Sequence, residues 1–175
     1  MRLAAVIPGG GMPMESFSVS DAIITTGVTK PLLQRWLKHG WMTSALSPPE
    51  ANEKEIRFSR EDLYHLAFLK KASDAGISLP VAAEKINIYS LCQTLAAYPA
   101  IEVVGIAFSR VISEGELQTV GGWIISPELD QQTGWASLDL IAERLQEDAE
   151  DFYILNFMQL KSRVDDIVTM LQDNG

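Results

Sequence analysis

Between Ser18 and Gly40 the chain writes two short amphipathic helices separated only by Gly27-Val28-Thr29, a spacing that leaves little freedom in how they fold. Ser18 or Ser20 can cap the first helix, which buries Val19, Ala22 and Ile23 and stops at Gly27, a residue suited to the left-handed conformation. Thr29 is placed to cap the second, and Pro31 falls in its first turn, where a missing N–H costs little. Leu32, Leu33, Trp36 and Leu37 make its apolar stripe, and Gly40 ends it. Lys30, Gln34, Arg35 and Lys38 fall largely on the other side. A helix of this kind docks by one stripe and offers a polar, basic face outward.

The next segment reads as a loop with a returning strand. Residues 41–55 carry Ser47-Pro48-Pro49 and a polar run, and residues 55–58 return as the strand. Ser59 with Asp62 resembles a helix cap. Leu63, Leu66, Ala67, Phe68 and Leu69 give a buried face as far as Ala75, Gly76 closes that helix, and Ser78 opens another with Pro80 near its start. Residues 101–108 and 117–126, rich in β-branched and aromatic residues, flank a Ser113–Glu116 turn and predict a β-hairpin. Beyond the loop 127–135, apolar residues at steps of three or four predict one long helix over 138–171, about 50 Å at roughly 1.5 Å per residue. So long a stripe predicts pairing with a second copy, through Leu145, Tyr153, Phe157, Leu160, Val164, Ile167 and Leu171. The competing expectation is that it packs on its own chain.

Charge divides the chain in two. Residues 1–90 hold ten Lys/Arg against nine Asp/Glu, and residues 91–175 hold four against fourteen, within a net charge of −9. Six basic residues and three glutamates lie between Thr29 and Arg60. Phosphate contact depends on such a local patch, not on the whole-chain charge. The single cysteine, Cys92, excludes an intramolecular disulfide and a tetrathiolate zinc site, and reads as a small buried hydrophobe. Gly9-Gly10-Gly11 lacks the phosphate-loop pattern, and His39 and His65 stand apart with no second ligand at metal spacing. His65 reads as the polar edge of a helix. The acidic run Glu143, Glu147, Asp148, Glu150 and Asp151 reads as a solvated face. The expectation is a non-enzymatic protein without metal or cofactor, without a membrane span, and cytoplasmic. Residues 1–16 read as a flexible leader.

Several anchors in order resemble the MerR-type winged-helix family and, more loosely, the excisionase-like modules of phages. They are Gly27-Val28, Arg35-Trp36, Gly40-Trp41, the segment Ile56-Arg57-Phe58-Ser59-Arg60-Glu61-Asp62-Leu63, and Gly76-Ile77-Ser78-Leu79. The family's usual arginine of the second helix falls here on Gln34, with Arg35 one place later. The expected fold is mainly α (α+β): a winged helix-turn-helix domain over 17–88, then an acidic hairpin and long dimerisation helix over 89–175. The resemblance implies a homodimeric, sequence-specific transcriptional regulator on double-stranded DNA, with a small-molecule or protein effector at the C-terminal region. The expected DNA-facing set is Ser18, Thr29, Lys30, Gln34, Arg35, Trp36, Lys38, His39, Lys54, Arg57 and Arg60. An interaction adaptor retaining this fold and a phage-type DNA packaging or recombination accessory are the rival readings.

Overall fold

Capping decides where the first helices begin and end. The structure is a computed structural model that describes residues 15–48, 51, 54–99, 104–113, 116–125 and 149–173. Helix α1 (Val19–Thr26) opens with a reciprocal box in which Ser18 Oγ accepts from the Asp21 amide and the Asp21 carboxylate accepts from the Ser18 amide. Gly27, at φ 71°, ends it. Helix α2 (Lys30–Lys38) follows with Pro31 in its first turn, and its Thr29 cap makes no side-chain hydrogen bond. Helix α3 (Arg60–Asp74) starts with a second reciprocal box, Ser59 with Asp62. Helices α4 (Leu79–Lys85) and α5 (Ile88–Ala97) complete the helical part; Asn87 Oδ1 caps α5 by accepting from the Ser90 amide at 3.0 Å.

The hairpin is present as β1 (Val104–Ser113) and β2 (Glu116–Ile125), paired antiparallel from Val104↔Ile125 to Ser113↔Glu116. A third strand, β3 (Ala149–Asn156), pairs antiparallel with β1, so the order is β2-β1-β3. This corrects the expected helix over 138–171. The part over 149–156 is strand, helix α6 runs only over Phe157–Asp173, and residues 138–148 lie outside the described residues. Phe152, Tyr153, Ile154 and Leu155 are aromatic or branched and suit a pleated surface better than a helical turn. Asn156 marks the switch, its Oδ1 accepting from the Gln159 amide at 3.0 Å.

Helix α3 is the centre of the packing: α1, α4, α5 and α6 all lie against it. Its residues from Asp62 to Leu69 are buried without a break, as befits a helix surrounded on all sides. Trp36, Phe58, Phe68 and Phe157 are fully buried in one core. Two ring contacts join the halves. Phe68 stacks on Phe108 of β1 with centroids 6.1 Å apart, and Tyr64 meets Phe157 of α6 edge-on at 6.3 Å. The α6 stripe expected to meet a second copy is thereby spent on its own chain: Phe157, Leu160, Val164 and Val168 are buried. Ile167 and Leu171 are half-buried, Tyr153 stands on β3, and Leu145 lies outside the described residues.

The loop after α2 is held by side chains instead of a strand ladder. Among the described residues the returning segment makes no strand pairing with the outgoing arm; Phe58 and Phe17 exchange both backbone hydrogen bonds, each 2.9 Å, in an antiparallel bridge. Asp62, fully buried, ties the loop to the helices. Its carboxylate accepts from the Ser59 amide at 2.8 Å, the Ala45 amide at 3.0 Å and the Tyr89 hydroxyl of α5. Burial, together with the bond to Asp62, pushes the Tyr89 hydroxyl well above the usual phenol range.

His65 is the second correction. It does not sit at a polar edge: it is 9% exposed, both ring nitrogens lack a partner among the described residues, and its ring faces Phe68 and Tyr89. Burial pushes its pKa down to about 4, so the neutral ring is the folded form at neutral pH.

Two predictions follow from these buried polar groups. Asp62→Ala leaves the Ala45 amide and the Tyr89 hydroxyl unpaired, and should cost about 2–4 kcal/mol in urea unfolding. A loss under about 0.5 kcal/mol would remove Asp62 from that role. Because the unfolded chain binds a proton at His65 near pH 6.5 and the folded chain only near 4, stability from this residue is full above about 6.5. It should decline as pH falls toward 4, and His65→Leu should flatten that part of the urea-midpoint profile.

Candidate nucleic-acid interface

Helix α2 sorts its residues by face as the spacing requires. Leu33 and Trp36 are buried under it, 1% and 0% exposed, and Leu32 and Leu37 pack against the same core. Lys30, Gln34, Arg35 and Lys38 are all exposed. Arg35 and Lys38 have no ion-pair partner among the described residues, and both lie in the last turn, where the helix dipole favours cations. Thr29 is exposed at the entry. His39 is exposed at the exit and stacks on Trp41, centroids 4.7 Å apart and planes 15° from parallel. The backbone behind it is closed by the Trp41 amide on the Trp36 carbonyl at 3.1 Å, with Gly40 at φ 70° making the turn.

The loop presents a second cationic group. Lys54 and Arg57 are exposed. Arg57 is pinned at its backbone: its amide donates to Ser47 Oγ at 2.6 Å, and its carbonyl accepts from the Ser44 and Ser47 hydroxyls. Its guanidinium Nη1 donates to the carbonyls of Lys54 and Ile56 at 3.1 and 3.0 Å. The group thus lies along its own loop, fixed in place before any ligand arrives.

Three residues of the expected set have other work in the fold. Trp36 is entirely inside the core and cannot touch a duplex from there. Ser18 caps α1, its hydroxyl 2.7 Å from the Asp21 carboxylate. Arg60 is drawn into an ion-pair network: it donates to Glu15 through Nε and Nη2, both at 2.7 Å, and to Asp165 of α6 through Nη1 at 2.8 Å. Asp165 also accepts from Tyr64 at 2.5 Å and Lys161 at 2.7 Å, and Gln172 donates to Glu15 at 2.5 Å. Bonding to Arg60 holds Glu15 below the usual carboxylate range. Burial alone pushes Asp165 up, but the bonds from Lys161, Tyr64 and Arg60 outweigh it and hold that carboxyl down. The Arg60 charge is therefore neutralised twice over, by groups brought from both ends of the described chain.

The residues that sequence reasoning missed are those that set the loop. Ser44 and Ser47 read as ordinary loop residues, and Tyr89 lies 27 positions beyond its partner Asp62. Only Asp62 had a signal, as the third residue after Ser59, and that spacing announced a cap without announcing the loop amide it also accepts. Cys92 packs against the core, and burial pushes its thiol up to about 12, so it is a hydrophobe in practice.

The network predicts that Arg60→Ala lowers stability by about 1 kcal/mol, the screened worth of half-exposed pairs, without changing the salt dependence of DNA binding. Urea melts and fluorescence titrations at two salt concentrations check both halves.

Residues 17–87, 71 of 175, match the family model of the MerR HTH family regulatory protein, and the geometry of this segment is consistent with a MerR-type helix-turn-helix domain. The family is one of DNA-binding regulators, which supports a DNA-binding role. No curated protein matches the chain. No helix among the described residues is long and apolar enough to cross a membrane.

Proposed function

We propose that the chain is a cytoplasmic, sequence-specific DNA-binding regulator of transcription that acts as a homodimer. The observation that carries the reading is the sorting of α2: Leu33 and Trp36 are buried and Leu32 and Leu37 pack against the core while the basic face is exposed, on a chain of net charge −9. In the major groove, Gln34 supplies an amide suited to adenine, and Arg35, Lys30 and Lys38 supply donors for guanine or phosphate. Arg57, with Lys54 beside it, contacts the backbone or the minor groove from the loop. Two heads read the halves of a palindromic site. Since the inner stripe of α6 is already covered by its own chain, the two copies meet through other surface. The acidic half bears on regulation, not on the duplex.

Selection of bound sequences from random DNA tests this reading, and an enriched motif with inverted half-sites is the expected result. On that motif, Arg35→Ala and Arg57→Ala should each weaken binding, by about 1–3 kcal/mol where a base contact is lost. The slope of log affinity on log salt should fall by roughly 1 for each phosphate contact removed. No enrichment, or a double variant that binds as the parent does, would refute the proposal. A strictly monomeric mass on DNA would refute its dimeric part.

A further inference from the structure

A cleft of about 240 Å³ lies where the C-terminal end of α1 meets α3 and α6, and none of its lining residues belongs to α2. Its apolar wall is built by Ala67, Leu160, Val164 and Ile167, and Ile24, 59% exposed, stands at its edge. Thr25 also lines it. That residue is 4% exposed, and its hydroxyl has no hydrogen-bond partner among the described residues. A buried hydroxyl left unpaired is costly, and a polar atom delivered beside it would relieve that cost.

The charged residues of the cleft are unevenly balanced. Lys70 is engaged by Asp74 at 2.6 Å, which cancels both charges. Lys71 of α3 and Arg163 of α6 are exposed, and neither has an ion-pair partner among the described residues. An apolar wall, an unsatisfied hydroxyl and two uncompensated cations on different helices make a site for an amphipathic anion. The volume lies below the span of drug-sized pockets, so the occupant is small.

We propose that this cleft binds a small organic carboxylate with a short apolar chain, the chain lying on the α6 wall and the carboxylate between Lys71 and Arg163. Its regulatory meaning rests on the DNA-binding reading. The cleft is bounded by Thr26 and Gly27, from which the chain turns directly into α2, and by α6 of the acidic half. A ligand that clasps α6 to the end of α1 therefore acts on the element that positions α2, and couples two sites by differential binding.

The test uses the full chain without DNA. Methyl resonances of Ile24 and Val164 are followed while hexanoate, acetate or hexanol is added. Saturable hexanoate binding is expected, with acetate and hexanol each at least tenfold weaker, since one lacks the apolar chain and the other the charge. Lys71→Ala with Arg163→Ala should weaken hexanoate at least tenfold and leave hexanol unchanged. Thr25→Val, which keeps the shape, should weaken hexanoate severalfold. Lys85→Ala, outside the cleft, should have no effect. Absence of saturable binding, or affinity untouched by the paired cation variant, overturns the site. DNA affinity with and without hexanoate is measured separately: a change in affinity on adding hexanoate is expected, equal affinity in both would overturn the coupling, and no DNA binding in either state would count against the regulator reading while leaving the ligand result standing.

Discussion

The buried carboxylate of Asp62 is the constraint on which the candidate interface depends. One side chain closes the cap of the central helix, accepts from the loop at Ala45, and accepts from Tyr89 on a helix that follows much later in the chain. A carboxyl group with no exposure has lost its water and needs hydrogen bonds in return, and the three donors supply them. The loop amide is one of them. Ser44 and Ser47, close by in the loop, then hold Arg57 by its backbone. The cationic loop is positioned by this polar framework, not by a strand ladder.

A second polar junction, at Asp165, does the same for the C-terminal helix. Lys161, Tyr64 and Arg60 converge on it, while Arg60 reaches on to Glu15 before the first helix. Together with the Tyr64–Phe157 and Phe68–Phe108 ring contacts, this makes α6 part of the body that carries α2. The fold therefore gives the acidic half a direct mechanical connection to the helix-turn-helix. A merely tethered effector region would have none.

Local signals were legible and distant ones were not. The first three helices, their glycine stops and the Ser59–Asp62 cap could be read because each is decided within four or five residues. The hairpin was legible for the same reason. The long C-terminal helix failed because apolar residues at steps of three or four also occur where a strand runs into a helix, and only Asn156 marks the break. Among the candidate site residues, the exposed basic face of α2 was readable from its period. Arg60 was not, since a basic residue at a helix start looks the same whether its partner is phosphate or a carboxylate 105 positions away. Trp36 was misplaced by its neighbour: the Arg35-Trp36 pair drew both into the interface, although the helical period had already put the indole inside.

The central claim is that α2 faces the duplex with its basic side while Arg60 stays in its own network. The most direct measurement follows the side-chain resonances of Gln34, Arg35 and Arg60 as a bound duplex is titrated into the full chain. The account predicts that the Gln34 amide and Arg35 guanidinium signals shift together at stoichiometric DNA, with the Arg60 Nε signal unmoved. Shifts confined to Arg60 and to α6, with Gln34 and Arg35 silent, would contradict it.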